Sequence, residues 1–436
     1  MKILEKSRYY SFWILDVLKG GKIKSHYKDI KFILEDFDSD DSKKMRDRHL
    51  SNLLNHAVKT TSFYNSHKEF SSIHDFPVVN KLQLRHSFDA FLSKDFKNKI
   101  SFEVSTSGST GTPFKVFQDK NKKDRNVADT IYFGEKSGYE LGHKLFYLRA
   151  WSSLIQKNSF TVFFQNIVSI NVKTLNDETI SKLINQIGKG NSNKAFIGYP
   201  SAFREICKYL DSINSKPIKS NISSMIANAE TLSFHTRKSV KKYFGFDILS
   251  RYSNMENGIL SQQISNEGEN FHINWASYYI EILDLEKDVP AGYGELGRVV
   301  VTDLFNYNMP LIRYDTGDLA VLNIDKNHYN GAPSFTQVEG RRMDAIYDTK
   351  GKLMTTVAYE LEYFPELNQF QLIQETEKSY CVMVNSEGDF KRKDEMITVL
   401  KSFLGGDAII NIKYVNEVPP LSSGKRKLTV NNYKSQ

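Results

Sequence analysis

Residues 105–113 read Ser105-Thr106-Ser107-Gly108-Ser109-Thr110-Gly111-Thr112-Pro113: six hydroxyl side chains, two glycines and a proline. None of these can join an apolar core. The stretch offers bare backbone N–H donors and hydroxyls that can turn toward an anion, a combination that suits polyphosphate oxygens. The Walker form G-x-x-x-x-G-K-[ST] cannot be placed on it, since Lys115 follows Gly111 by four residues with Pro113 and Phe114 between. By composition alone a flexible Ser/Gly linker fits equally well. Whether the stretch joins two units or serves as a working loop depends on what flanks it.

Before it, residues 1–95 read as a charged, mostly helical lead-in, with Leu50, Leu53, Leu54 and Ala57 on one helix face and a break at Phe63-Tyr64. Pro77, within Asp75-Phe-Pro-Val-Val-Asn80, marks a turn into a further helix. After it, short apolar runs at Lys144–Ala150, Lys194–Tyr199, Ser224–Ala229 and Asp247–Tyr252 alternate with amphipathic helices. One of these places Phe203, Ile206, Cys207 and Leu210 at i, i+3, i+4 and i+7. Strands alternating with helices predict a layered α/β core. Beyond residue 270 the strands His272–Leu283, Gly297–Leu304 and Asp318–Asn323 have little helix between them and predict a β-rich, partly antiparallel or barrel-like subdomain. After Gly340 the order is strand, helix (Val357–Phe364), two strands, helix (Asp394–Phe403), strand: a compact α+β unit. The expected organisation is a large unit over 1–340 and a small one over 341–436.

With 436 residues, 40% of them hydrophobic and 13% aromatic, this is a folded protein of several domains rather than a disordered chain. No window holds the roughly 18 consecutive apolar residues of a membrane span. Charges interrupt the first residues, Met1-Lys-Ile-Leu-Glu-Lys, where a signal peptide would be apolar. Cys207 and Cys381 form no C-x-x-C pair, so neither a disulfide framework nor a structural zinc site is expected. A cytoplasmic protein is the expectation. The net charge of +8 is spread along the chain in short clusters such as Lys391-Arg-Lys393, with no RNA-binding or helix-turn-helix pattern. Nucleic acid is therefore not an expected partner, and a nucleoside triphosphate is use enough for a positive field.

Further motifs follow the Ser/Thr/Gly stretch in order: Asn228-Ala229-Glu230, Tyr252-Ser-Asn-Met-Glu256, Ile312-Arg-Tyr-Asp-Thr-Gly-Asp318, Glu339-Gly-Arg341-Arg-Met-Asp344 and Ser422-Ser-Gly-Lys425. Their order and spacing resemble the adenylate-forming superfamily of acyl-CoA synthetases, aryl acid ligases and luciferases. The likeness covers roughly residues 50–430 and is strongest to the phenylacetate–coenzyme A ligase branch with its capsule-associated relatives.

The resemblance implies two half-reactions. A carboxylate attacks the α-phosphate of ATP to give an acyl-adenylate and pyrophosphate. A thiol or an amine then displaces AMP. It also implies a task for each motif. Ser105, Thr106, Ser107, Gly108, Ser109, Thr110 and Gly111 would hold the departing phosphates, with Thr106 among the catalytic groups. Glu256 would hold Mg²⁺, and Tyr252 would flank the adenine. Asn228, Ala229 and Glu230 would line the adenine through backbone contacts. Asp318 would accept the ribose hydroxyls, as its two carboxylate oxygens allow, and Arg341 would join it. Asp344 would be the hinge between the units. Lys425 would bridge the acid's carboxylate and the α-phosphate, with Lys427 the alternative. The chain departs from the family in having Ser253 and Met255 where Gly and Thr are usual, and Asn228 where Gly is usual. The Met255 change puts one α-phosphate contact in doubt. Trp151, Tyr199, Tyr252 and Trp275 are candidate walls for the acid. Coenzyme A is the default acceptor; an amine acceptor and a non-catalytic nucleotide binder stay open.

Overall fold

The computed structural model describes residues 3–106, 114–151, 165–324, 331–341, 345–364, 366–386, 388, 390–419 and 427–433, with backbone only at Thr106 and Arg341. An eleven-stranded sheet organises most of the chain. In spatial order its strands are Tyr278–Leu283, Leu296–Asp303, Tyr314–Asn323, Ser334–Arg341, Phe271–Ile273, Gly258–Gln263, Leu249–Asn254, Ile222–Asn228, Lys194–Gly198, Lys144–Arg149 and Ile167–Asn171. The last five run parallel, and the rest pair antiparallel.

Parallel strands need crossovers, and helices supply them. Asp177–Gly188, Pro200–Ser212 and Phe234–Phe244 lay Ile180, Leu183, Phe203, Ile206, Leu210 and Val240 against Phe146, Leu148, Phe196 and Met225. The i, i+3, i+4, i+7 stripe read from the sequence is the buried face of Pro200–Ser212, from Phe203 to Leu210. Proline at the first helical position starts that helix, where its missing N–H costs nothing.

One expectation needs correcting, and one alternative, the partly antiparallel sheet over the barrel, is decided. The run His272–Leu283 is not one strand: Ser277 and Tyr278 N–H both donate to the Asn274 carbonyl, and the chain turns there. Phe271–Ile273 pairs with Gly258–Gln263, whereas Tyr278–Leu283 pairs with Leu296–Asp303. Nor is the β-rich part a separate barrel. Phe271–Ile273 pairs on its other edge with Ser334–Arg341, so the antiparallel strands continue the same sheet.

The lead-in helices Ile3–Leu18, Lys22–Glu35 and Asp40–Thr60 pack on this body. Leu53, Leu54, Ala57 and Val58 share a core with Phe76, Val79, Phe114 and Tyr314. A buried polar chain ties the lead-in to helix Lys120–Lys136 and the sheet. Arg125 reaches Asp29 (2.5 Å), Ser277 Oγ (2.8 Å) and the Ala276 carbonyl (2.7 Å), while His49 adds a second bond to Asp29 (3.0 Å). Next to it, the fully buried Lys122 ammonium sits 2.7 Å from Asp303 and 3.1 Å from the Tyr278 hydroxyl.

The C-terminal region builds its own four-stranded sheet, ordered Ile409–Tyr414, Ser379–Ser386, Leu367–Gln374, Thr429–Asn431. Its core is separate: Val357, Leu361, Phe370, Leu372, Val382, Met396 and Leu400 pack together. The helix expected at Val357–Phe364 is a 3₁₀ helix over Val357–Tyr363.

Candidate active site

The carboxyl ends of the parallel strands form one edge of the sheet, the edge where open α/β sheets bind ligands. Arg149, Tyr199, Asn228 and Asn254 lie at or just beyond these ends. Asn228 closes its strand, and the next residue, Ala229, takes the left-handed conformation with φ of 67°. The positive φ thus falls on Ala229, one position after the Asn228 that stands where the family usually has Gly. The Asn228 Oδ1 is buried and has no hydrogen-bond partner among the described residues. Such an atom is an acceptor ready for a ligand N–H. Glu230 instead accepts from the Ser201 N–H at 3.0 Å and caps helix Pro200–Ser212, an interaction favoured by the helix dipole.

From Leu249–Asn254 the chain turns through Met255 and Glu256 into Gly258–Gln263. Met255 is exposed, whereas Glu256 points inward with 2% exposure. The turn is held from three sides. Gln118 donates to the Glu256 carbonyl (2.9 Å), the Tyr278 hydroxyl to the Asn257 carbonyl (2.6 Å), and the Asn257 N–H to the Asn254 side chain (2.8 Å). Two cation or hydroxyl donors reach the same carboxylate oxygen of Glu256: Lys81 Nζ at 3.0 Å and the Tyr314 hydroxyl at 3.1 Å. Burial first, and then the Glu256 carboxylate, push the Tyr314 phenol well above its ordinary pKa, so it stays a donor. Tyr314 is stacked on Phe114, whose strand begins just after the Ser/Thr/Gly stretch.

The Tyr252 hydroxyl donates to Asp318 at 2.8 Å. Burial, and next the Asp318 charge, hold that phenol well above its usual value too. Asp318 leaves a tight turn in which Gly317 has φ of 81° and donates to Asp315, while the Thr316 hydroxyl accepts from the Asp318 N–H. Arg341 lies directly across the ladder from Asp318. Tyr252, Glu256, Tyr314, Asp318 and the backbone of Arg341 are thereby linked through two neighbouring sets of strands.

A single buried carboxylate fits Mg²⁺, which takes few protein ligands and completes its octahedron with water and phosphate oxygens. Among the described residues no cluster of three or more His, Cys, Asp or Glu could cage a metal. Glu256, backed by Tyr314, is the group that would hold it.

Sequence reasoning missed Lys81 and Tyr314. Lys81 opens the short helix Lys81–His86, which is fixed by an Asn80/Gln83 capping box. The bridge between Val79 and Tyr314 carries it to Glu256. No local pattern encodes that long-range pairing.

A family model described as the CapK C-terminal domain matches residues 347–432. Over nearly its whole length the chain is similar to Protein CapK of Staphylococcus aureus, with 23% identity over 443 residues, 96% of this chain and 94% of that protein. A 2-hydroxyisobutyryl-CoA ligase in the postadenylation state, in complex with 2-HIB-AMP, superposes with a TM-score of 0.72. The identity is 16%, and the match covers 92% of this chain and 91% of that one. The chain shares the fold of that ligase, and residues 347–432 match the CapK C-terminal domain. ATP-bound MatB from Rhodopseudomonas palustris shares the fold more distantly, with a TM-score of 0.52, 14% identity, and coverage of 74% of this chain and 66% of that one.

Within this adenylate-forming fold, several expected residues lie outside the described ones: Ser107 to Pro113, Asp344 and Lys425. Ser105 and Thr106 end the strand Phe102–Thr106, and Thr106 pairs with Phe114. Lys115 pairs with Glu103 across this hairpin at 2.9 Å and is solvated. Two residues past Lys425, the Lys427 carbonyl accepts from Gln371 at 2.9 Å as the CapK domain's last strand joins its sheet. Trp275 is not a pocket wall. Its Nε1 donates to the Pro333 carbonyl (2.9 Å) and its ring packs on Phe37. Trp151 stays near the carboxyl edge, where the Arg149 guanidinium lies against both the Tyr147 and Trp151 rings at 5.5 and 5.4 Å.

Proposed function

We propose that this chain is an ATP- and Mg²⁺-dependent carboxylic acid ligase that forms an acyl-adenylate and passes the acyl group to coenzyme A. The observation that carries this reading is the pairing of two carboxylates at the catalytic edge: Asp318 oriented by Tyr252, and buried Glu256 oriented by Tyr314 and Lys81.

In the first half-reaction a carboxylate oxygen attacks the α-phosphorus of ATP. An O–P bond forms as the bond to pyrophosphate breaks, with no proton to move. No general base is needed, and the barrier is charge repulsion and positioning. Asp318 accepts the ribose hydroxyls and Arg341 supports it. The side chain of Asn228 and the backbone of Ala229 and Glu230 face the adenine, and Tyr252 flanks it. The Ser105–Pro113 loop, through Ser105, Thr106, Ser107, Gly108, Ser109, Thr110 and Gly111, holds the leaving phosphates. Mg²⁺ supplies Lewis-acid charge neutralisation at the phosphates. Lys81, 3.0 Å from Glu256, would be left to pair with a phosphate if Glu256 held Mg²⁺. Lys425 offsets the repulsion between acid and α-phosphate. The second half-reaction follows a pivot at Asp344.

One alternative at the second step is an amine acceptor, such as an amino sugar in cell-surface polysaccharide assembly. A binder without turnover is the remaining alternative.

Pyrophosphate exchange over a panel of aryl, hydroxy and sugar acids tests the first step, and productive acids are then run with coenzyme A and with amines. Lys425→Ala should abolish exchange while largely sparing transfer from a pre-made acyl-adenylate. ATP binding without exchange on any acid would establish the binder instead, and equal loss of both steps in Lys425→Ala would sink the pivot.

A further inference from the structure

The first described helix, Ile3–Leu18, is turned inside out relative to an ordinary surface helix. Its two acids are its buried residues: Glu5 is 2% exposed and Asp16 6%. Its aliphatic side chains face solvent, with Ile3 at 90% exposure, Ile14 at 59% and Leu18 at 77%. At 100° per residue, Ile3, Tyr10, Ile14, Val17 and Leu18 share one face, with Leu4 and Leu15 at its margin and Ser7 and Ser11 between them.

This orientation is imposed by bonds on the inner face. Glu5 accepts from the Asn193 N–H at 2.9 Å. Asp16 accepts from the N–H groups of Ile23 (3.2 Å) and Lys24 (2.9 Å), capping the next helix. Trp13 packs on the Tyr27 ring. Gly142 closes the fit, because a Cβ there would overlap the Glu5 carbonyl. The helix therefore cannot roll over to hide its apolar side.

The surroundings of that face are basic. Residues 1–35 hold eight Lys and Arg against four acids, and Lys6, Lys19, Lys22, Lys24 and Lys28 are exposed. The helix's own acids are committed inward. An apolar face rimmed by lysines matches the hydrocarbon boundary and headgroups of an anionic bilayer. A second copy of the chain matches it poorly, because a two-fold contact would bring each basic rim against its equal. Sixteen residues span about 24 Å, less than a hydrocarbon core of about 30 Å, and no helix among the described residues is long and apolar enough to cross a membrane. The helix would lie in the interface plane.

We propose that the outward face of Ile3–Leu18 docks this protein on an anionic phospholipid surface. The helix meets the sheet at Gly142 and Asn193, beside the amino ends of strands Lys144–Arg149 and Lys194–Gly198. The catalytic edge is at their opposite ends, so docking leaves it open. The proposal is independent of the chemistry assigned above.

Sedimentation of the full chain with vesicles of phosphatidylcholine, with and without phosphatidylglycerol, tests it. The expected result is binding favoured on the order of tenfold or more by phosphatidylglycerol and weakened by salt. Ile14→Glu and Leu18→Glu should each abolish most of the binding with an unchanged melting temperature, since both sites are solvent-facing. Lys19→Glu/Lys22→Glu should weaken it and flatten its salt dependence. Absence of binding to the anionic vesicles, or binding indifferent to Ile14→Glu, would overturn the proposal. So would a wild-type dimer by light scattering that Ile14→Glu converts to monomer without any vesicle binding.

Discussion

Glu256 has almost no water around it, and its charge is balanced by Lys81 and the Tyr314 hydroxyl. Removing one member of such a pair strands the other charge. Lys81 is partly solvated, which discounts the penalty. Lys81→Met should cost about 1–3 kcal/mol of stability, measured by urea denaturation, and Mg²⁺ with a non-hydrolysable ATP analogue should restore most of it. A loss that the metal and nucleotide do not restore would leave Lys81 a structural residue only. At this scale the carboxylates were legible in the sequence, because Glu256 and Asp318 sit in short motifs whose turns depend on neighbours two or three positions away. Their donors were not. Lys81 and Tyr314 reach Glu256 through a bridge between distant segments, and nothing near Lys81 records it. Trp275 was misread for a related reason, since an aromatic beside a strand does not reveal which face it serves.

Helix Lys22–Glu35 carries the clearest pH signal. His26 is hydrogen-bonded to Asn121 at 3.0 Å, and burial, followed by the nearby Arg125 charge, lowers its pKa to about 4. The unfolded chain binds this proton near pH 6.5 and the folded protein only near 4, so acid favours unfolding. The contribution is complete above pH 6.5 and is lost as pH falls toward 4, up to about 3 kcal/mol in all. Denaturation at pH 7 and pH 5 should show wild type losing more stability than His26→Gln; equal losses would remove His26 as the cause. Elements with a regular period were readable: the stripe on Pro200–Ser212 and the alternation of strand and helix both survive intact. The break between Phe271–Ile273 and Tyr278–Leu283 was not, because Asn274-Trp-Ala-Ser277 lacks the glycine or proline that usually marks a turn.

Between the large sheet and the C-terminal domain several contacts gather on one side chain. Glu362, nearly buried, accepts from Arg204 (2.9 Å), Thr236 (3.0 Å) and Ser233, so it closes the amino end of helix Phe234–Phe244 from the other unit. Lys208 adds a bond to Asn368 at 2.9 Å. Glu362→Ala should release the CapK domain, seen as a larger radius of gyration by small-angle scattering and faster proteolysis near residues 341–345. An unchanged scattering curve would mean that apolar contacts hold the arrangement without it. Alternating composition made two units visible in the sequence, but the continuity of one sheet across residues 144–341 was not, because strand order is set by pairing partners far apart in the chain. The buried chain through Arg125 carries that long-range character into the laboratory. The helical lead-in looks detachable, and residue 95 looks like a natural place to start a shorter protein. Cutting there would take Asp29 and His49 away from Arg125, which shares its helix with Lys122, itself within two bonded contacts of the turn that carries Glu256. Such a cut would disturb the Glu256 turn without touching it, so tests of the proposed ligase reaction belong on a chain that keeps these helices.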